Sequence, residues 1–289
     1  MFSIKTIIML TKFQKTALAW YENNGRNLPW RNTTNPYHIL VSEIMLQQTQ
    51  VERVIPKYEA FLHQFPSIEA LARAETSEVL RAWSGLGYNR RALFLQKCSQ
   101  ELMHEMNFPQ QEEKLKKLPG IGKYTAAAIL SFAYNKDVPV VDVNILLLYK
   151  RIFYGSKSSI QTLAKKHLPK GKSRHWHNAL MDIGALFCSS QHPRCNDCPL
   201  TILCKTAGKK MKIEATRIKK TVVPFAQSDR IVRGTIIKLL MKRNYSAITL
   251  HKKLNEMNIK RDKKKFAEIL NQLQKDRLIK KKKNVYALP

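Results

Sequence analysis

Four of the chain's five cysteines fall within 17 residues, as Cys188-x6-Cys195-x2-Cys198-x5-Cys204. Thiolates at such short spacing converge on one soft-metal site, and four of them hold either a [4Fe–4S] cluster or a zinc ion. Zinc knuckles usually use two C-x2-C pairs, one at each end of a loop. Here only Cys195 and Cys198 form a tight pair, and the wider gaps suit wrapping around a larger object. The spacing therefore favours iron–sulfur, with zinc as the alternative. A disulfide pair is a third option, which a reducing compartment would not keep. Cys98, alone in a helical stretch, reads as a buried thiol.

At 289 residues the chain has room for roughly two domains. Fifty-one Lys and Arg against 21 Asp and Glu leave a net charge of +30. A surface that basic attracts phosphate polymers, most simply nucleic acid. A lysine-rich composition throughout is the plainer explanation. The opening stretch, Met1 to Phe13, has a short apolar patch but lacks the pattern of a signal peptide. No window of 18 apolar residues marks a membrane span. The expectation is a cytoplasmic, nucleoid-associated monomer.

Residues 10 to 206 read as almost entirely helical. Apolar residues recur at three and four spacing in Leu40-Val41-Ile44-Met45, Val79-Leu80-Trp83 and Ala126-Ile129-Leu130-Ala133. Beyond the cysteines the composition shifts, with 25 Lys and Arg against 6 Asp and Glu over residues 205 to 289. Residues 207–228 read as a linker. Three helical segments follow, at about 229–242, 247–256 and 262–276, and then an apolar–basic hairpin with Asn284 near its turn. Helix, helix, helix, hairpin is the winged helix-turn-helix pattern, whose wing touches nucleic-acid backbone. Lys281 and Lys282 lie in the wing segment. The same pattern also serves protein contacts.

Leu118-Pro-Gly-Ile-Gly122-Lys-Tyr-Thr-Ala is the second strong signal. A G-x-G turn opening a helix presents backbone N–H groups to an anion such as a DNA phosphate. Gly120, Gly122 and Lys123 are the candidate contacts. About 20 residues later comes an acid, Asp142, in Val-Pro-Val-Val-Asp-Val-Asn.

With these residues in view, the chain over roughly residues 15 to 206 resembles the MutY-type adenine DNA glycosylases. These form a branch of the helix-hairpin-helix superfamily. The resemblance is carried by Leu28-Pro-Trp-Arg31, Ser42-Glu-Ile-Met-Leu-Gln-Gln-Thr-Gln-Val51, Gly85-Leu-Gly-Tyr88, the hairpin string, Asp142 and Leu180-Met-Asp-Ile-Gly-Ala185. It implies a mainly α, two-lobed glycosylase fold. Residues 10–34 and 141–206 would form the iron–sulfur domain, and 35–140 a six-helix domain. Residues 229–289 would add a winged-helix-like domain. The implied substrate is mismatch-containing double-stranded DNA and the implied cofactor a [4Fe–4S] cluster on Cys188, Cys195, Cys198 and Cys204.

The chemistry fits the residue types. Releasing adenine needs a proton for the departing base and negative charge near an oxocarbenium-like sugar; glycosidases meet both needs with two carboxylates. The resemblance gives Glu43 the proton-donating role and later the activation of water, and Asp142 the sugar cation. A carboxyl that donates near neutral pH must be raised by burial, while its partner stays ionised. Tyr124 stands where bifunctional relatives carry a Schiff-base lysine, so the resemblance implies no strong lyase activity. It places Tyr124 near Asp142 and the substrate's sugar or phosphate. Gln48 and Thr49 would probe the opposite strand, with Tyr88 wedged beside the base opposite the target. Without the motifs, Glu43 reads as a surface helix carboxylate, Asp142 as a plain N-cap and the rest as packing.

The chain departs from that family in three places. Leu147 replaces the usual arginine five residues after the aspartate, which implies an altered contact between the catalytic helix and the cysteine loop. Asn89 replaces a frequent second tyrosine. The C-terminal pattern is not the NUDIX-like fold that reads 8-oxoguanine, so that preference is left open. Two other readings compete. One is a thymine or uracil glycosylase acting on G mismatches, against which the Gln47-Gln48-Thr49 run favours adenine. The other is a non-enzymatic redox regulator that binds DNA through its winged helix. A zinc deaminase is set aside, because no H-x-E precedes the cysteines.

Overall fold

A computed structural model describes residues 10–209, 224 and 228–289. The apolar patch at the extreme N-terminus and most of the linker lie outside the described residues. The helices are α1 Lys12–Asn24, α2 Pro36–Leu46, α3 Val51–Gln64, α4 Ile68–Arg73, α5 Thr76–Ala82, α6 Arg90–Leu102, α7 Glu112–Lys117, α8 Lys123–Phe132, α9 Val143–Ile152, α10 Ile160–Lys166, α11 Ser173–Phe187, α12 Asp229–Leu240, α13 Ala247–Glu256 and α14 Lys263–Lys275. Short strands follow the same order: β1 Tyr245–Ser246, β2 Lys280–Lys282 and β3 Val285–Ala287. No helix among the described residues is long and apolar enough to cross a membrane.

The chain divides into two compact units. The first takes in the described residues of Met1–Leu40, Pro109–Lys117 and Ile121–Ile218. The second takes in those of Val41–Phe108, Leu118–Gly120 and Lys219–Pro289.

In the first unit α11 packs against both α1 and α9. Phe13, Leu148, Tyr149, Trp176, Leu180 and Ile183 form its buried centre. Phe13 meets Trp176 edge-on at 5.0 Å, the arrangement ring quadrupoles favour. The start of α1 is set by a capping box: Thr11 N–H donates to Gln14 Oε1 at 2.8 Å, and Gln14 N–H to Thr11 Oγ1 at 3.3 Å. Residues 121–140 join this unit because α8 packs on α7 and α11. Ser131 on α8 also hydrogen-bonds Ser173 and His177 on α11.

In the second unit α3 to α6 bury Phe61, Leu71, Leu80, Trp83 and Leu95. Trp83 Nε1–H donates to the Gly87 carbonyl at 3.1 Å, tying the Gly85–Tyr88 loop to this core. The C-terminal segment folds around Val232, Ile236, Leu250, Leu254, Phe266 and Leu270, all buried. Ser246 caps α13 and Asp262 caps α14 through their side-chain oxygens. The hairpin β2–β3 turns at Lys283, which has φ +54°. The sequence did not reveal β1, which completes a sheet ordered β1-β3-β2. Two residues carry no alternation to detect.

Candidate functional site

Asp142 sits at the N-cap of α9. Its Oδ1 accepts the Ile145 N–H at 2.7 Å, and its Oδ2 accepts the Asn144 side-chain amide at 2.9 Å. Burial pushes its carboxyl above the ordinary aspartate value, against these hydrogen bonds and the attraction of Arg26. So Asp142 is indeed an N-cap, as its plainest reading had it, and it is also a carboxylate withdrawn from bulk solvent.

Three neighbouring features fix it there. His177 Nε2 accepts the Val140 N–H at 3.0 Å, so the ring proton is on Nδ1, which faces Ser131 Oγ at 3.0 Å and Ser173 Oγ at 3.3 Å. Burial lowers His177 to about 4, leaving a neutral imidazole at physiological pH. Gly184 on α11 runs against Asn144: a Cβ there would lie 2.9 Å from Asn144 Cβ and 3.0 Å from its carbonyl oxygen. Asp182, one half-turn earlier, is enclosed. Arg26 Nε donates to its Oδ1 at 2.6 Å, and Arg31 makes a two-pronged contact at 2.7 Å to each oxygen. Burial alone would raise Asp182; the two guanidiniums outweigh it and hold the carboxyl below its usual range. The Leu180–Ala185 motif thus has a physical content, an anchor for the N-terminal segment and a close approach to the Asp142 cap.

Glu43 lies on the stretch of α2 that belongs to the second unit and is 7% exposed. It is not a surface helix carboxylate. Gln48 and Tyr88 are exposed, with φ of +58° and +48°. Left-handed backbone at two non-glycine residues is uncommon and clusters at functional sites. Thr49 is half-buried, with its hydroxyl engaged by Arg91.

Arg91 is a residue that no sequence pattern singles out. Its Nη1 donates to the carbonyls of Ile44, Met45 and Gln47 at 2.8, 2.9 and 2.6 Å. Its Nη2 reaches Thr49 Oγ1 at 3.0 Å and the carbonyls of Leu86 and Gly87 at 3.2 and 3.1 Å. The guanidinium also stands 5.5 Å from the centre of the Tyr88 ring. One buried cation therefore ties the C-terminal end of α2 to the Gly85–Tyr88 loop. Desolvation lowers it to about 10, so it stays charged at neutral pH. No carboxylate partner marks it in the sequence, because its partners are carbonyls.

The helix-hairpin-helix turn has Gly120 at φ +81°. A Cβ there would also approach Phe94 Cβ to 2.9 Å. Gly122 caps α8 without a side-chain hydrogen bond, and Gly122 and Lys123 are exposed. Tyr124 follows in the first turn of α8, half-buried. Asp142 and Tyr124 belong to the first unit and Glu43 to the second.

Cys188 ends α11, and two short 3₁₀ turns carry Cys195, Cys198 and Cys204. Burial raises Cys188, against the pull of Arg151, and takes Cys198 up to about 11; Cys188 also feels the charge of Cys204 and Cys195, and Cys198 that of the other three cysteines of the loop. Cys188 and Cys198 so placed favour the thiol until a cation binds, which fits a thiolate-held group. Among the described residues no three His, Cys, Asp or Glu side chains converge closely enough to chelate one ion. Arg151 is buried and donates to Cys188 Sγ at 3.3 Å. It lies one turn beyond Leu147, so the link between α9 and the cysteine loop is made from a different position, not lost. Lys281 and Lys282 are exposed on β2.

Residues 41–174 match the family described as HhH-GPD superfamily base excision DNA repair protein. The chain is 42% identical over 224 residues to an adenine DNA glycosylase of Buchnera aphidicola subsp. Baizongia pistaciae, covering 73% of this chain and 64% of that protein. It is 39% identical over 233 residues to that of Mycolicibacterium smegmatis, covering 77% and 78%. The chain thus spans just under two thirds of the Buchnera relative. Among solved structures, a thermostable thymine-DNA glycosylase superposes with a TM-score of 0.63 at 30% identity, covering 67% of this chain and 94% of that one. A trapped endonuclease III–DNA covalent intermediate shares the fold, with a TM-score of 0.59 at 23% identity, covering 69% and 98%.

Proposed function

The chain belongs to the adenine DNA glycosylase family, and on that premise we propose that it is a monofunctional DNA glycosylase of base excision repair. Its substrate is double-stranded DNA with adenine opposite guanine or 8-oxoguanine. The observations that carry the reading are a buried carboxylate, Glu43 on α2, and a half-buried one, Asp142 at the α9 N-cap, whose carboxyl is raised by desolvation.

Glu43 donates a proton to the departing adenine as the bond between C1′ and the base nitrogen breaks. Asp142 stabilises the positive charge left on the sugar, by electrostatics or by a transient bond to C1′. Glu43, now ionised, takes a proton from water, whose oxygen bonds to C1′. Base, proton and hydroxyl balance, and an abasic site remains. Tyr124 offers no amine, so the strand is not cut through a Schiff base. Gln48, Thr49 and Tyr88 hold the space opposite the extruded adenine. The backbone N–H groups at Gly120, Gly122 and Lys123 grip a phosphate.

Cys188, Cys195, Cys198 and Cys204 would hold the [4Fe–4S] cluster. When bound, it supplies rigid cross-linking of the loop by iron–thiolate bonds. Arg151, which donates to Cys188 Sγ, would steady that ligand. Residues 10–34 and 141–206 serve as the cluster domain and 35–140 as the helical domain. Residues 207–228 are the linker and 229–289 a winged helix, with Lys281 and Lys282 on its wing. The protein works as a monomer on the cytoplasmic nucleoid.

A second reading, thymine or uracil release opposite guanine, draws support from the thymine-DNA glycosylase that matches over 94% of its length. Base release from A:8-oxoguanine, A:G, T:G and U:G duplexes separates the two. Adenine release from the first pair is expected; thymine or uracil release alone would favour the second reading. Binding without any release would leave only a DNA-binding regulator.

A further inference from the structure

The segment that carries Asp142 runs against α11 at two points. His177 Nε2 accepts the N–H of Val140, two residues before the aspartate, at 3.0 Å. Gly184 lies against Asn144, two residues after it. His177 and Gly184 are seven residues apart on α11, two turns along one face, a distance of about 10.5 Å. Gly184 contributes closeness alone. His177 contributes direction, because a hydrogen bond restricts an angle as well as a distance.

The bond to Val140 requires one particular form of the ring. From Val138 to Val141 the backbone has no helix or strand to hold it, and Pro139 has no N–H to give. Val140 is fully buried, so its N–H needs an acceptor within the protein. An imidazole accepts only at a nitrogen that carries no proton. Ser131 Oγ at 3.0 Å and Ser173 Oγ at 3.3 Å face Nδ1 and keep the proton there. The two hydroxyls also meet each other at 2.9 Å. Burial lowers the ring to about 4, although the Ser173 backbone favours its charged form, so it is neutral at physiological pH. Ser131, Ser173 and His177 are all buried. Ser131 lies on α8, the helix capped by Gly122, so the ring ties the Asp142 segment to both α8 and α11.

We infer that His177 is a positioning residue for base release: through Val140 it sets where the Asp142 carboxylate stands against the sugar, without touching the substrate itself. The inference rests on the glycosylase reading above. A displacement of about 1 Å can cost about a hundredfold in rate. With Asp142 still capping α9, loss of the Val140 anchor alone should cost less, about tenfold. Affinity for the duplex, carried by phosphate contacts elsewhere, should change little.

The test compares the full chain with His177→Gln, His177→Leu and His177→Met. The glutamine amide reaches the place of Nε2 and still offers Val140 an oxygen, whereas leucine and methionine fill the space without an acceptor. Single-turnover adenine release from an A:G duplex is scored per active molecule, beside anisotropy binding and melting. His177→Leu and His177→Met should slow release about tenfold with affinity within about threefold of the parent. His177→Gln should keep release within about threefold, even where it melts lower. Parent rates per active molecule in both apolar variants would overturn the inference, and so would a His177→Gln rate as slow as theirs. Failure of both apolar variants to fold would place His177 in the fold itself and also overturn it. The imidazole nitrogen shifts of the parent give a check that needs no variant: Nδ1 should carry the proton and Nε2 should be bare, and the reverse would overturn the inference. A parent that releases no adenine from any duplex defeats the glycosylase reading, while the nitrogen shifts still test the bond to Val140.

Discussion

The surroundings of Asp142 and those of Tyr88 are built by opposite rules. Around Asp142 the polar groups are buried or half-buried, and paired: His177 with Val140, Asp182 with two arginines, Asn144 with the carboxylate itself. Around Tyr88 the backbone is left-handed, the side chains are exposed and the cations face a cleft. A group that must meet a transition state gains from a fixed, desolvated position. A surface that must accept DNA has to stay open and charged. Arg91 marks where the second region borrows the rule of the first, with a buried guanidinium holding an otherwise exposed loop.

The largest effect expected is on chemistry. Asp142→Asn and Glu43→Gln should each slow single-turnover adenine release by at least about a thousandfold, with duplex affinity kept within about tenfold, as for groups acting on the transition state. Near-parent rates in either variant would remove that residue from the mechanism. In the parent, release should fall on acidification with a midpoint above the ordinary aspartate value, because burial raises Asp142.

Arg91→Met comes next. It removes six hydrogen bonds, with the Gly87 carbonyl keeping the Trp83 indole as a donor, and should cost about 3–5 kcal/mol in urea unfolding, the range for breaking a buried charged network. A loss under about 1 kcal/mol would show that the α2 end and the Gly85–Tyr88 loop hold themselves.

The His177 effect is of similar size but depends on pH. Its folded value of about 4 lies below the ordinary histidine value of 6.5. Between those values the unfolded chain binds the extra proton, so stability is full above about pH 6.5 and falls as pH drops toward 4. The decline should total about 3 kcal/mol. His177→Gln should flatten that part of the urea-stability profile; an unchanged slope would refute the assignment.

The smallest effect sharpens the comparison through two helical glycines. Gly184→Ala puts a methyl against the Asn144 backbone and should slow adenine release about tenfold by shifting the Asp142 cap. Gly234→Ala adds a methyl to open space and should stabilise α12 by roughly 0.5–1 kcal/mol. If both substitutions behaved alike in melting and in release, the contrast between a packed and an open region would fail.

What the sequence settled by itself was local. Apolar spacing of three and four marks the helices, and Gly120 and Gly122 mark the hairpin turn. The C-terminal helices lie at Asp229–Leu240, Ala247–Glu256 and Lys263–Lys275, within two residues of their expected ends. Such signals need only neighbours in the chain, and the four cysteines are legible for the same reason. Tertiary structure alone decided which cations matter. With 51 lysines and arginines, no single arginine stands out in the sequence. Arg26 and Arg31 reach Asp182 across more than 150 positions, Arg151 reaches Cys188 across 37, and Arg230 reaches Tyr88 across 142. Arg91 spends its donors mainly on carbonyls, which every residue has. A guanidinium's role depends on the acceptors that folding brings within 3 Å, and those acceptors leave no pattern along the chain.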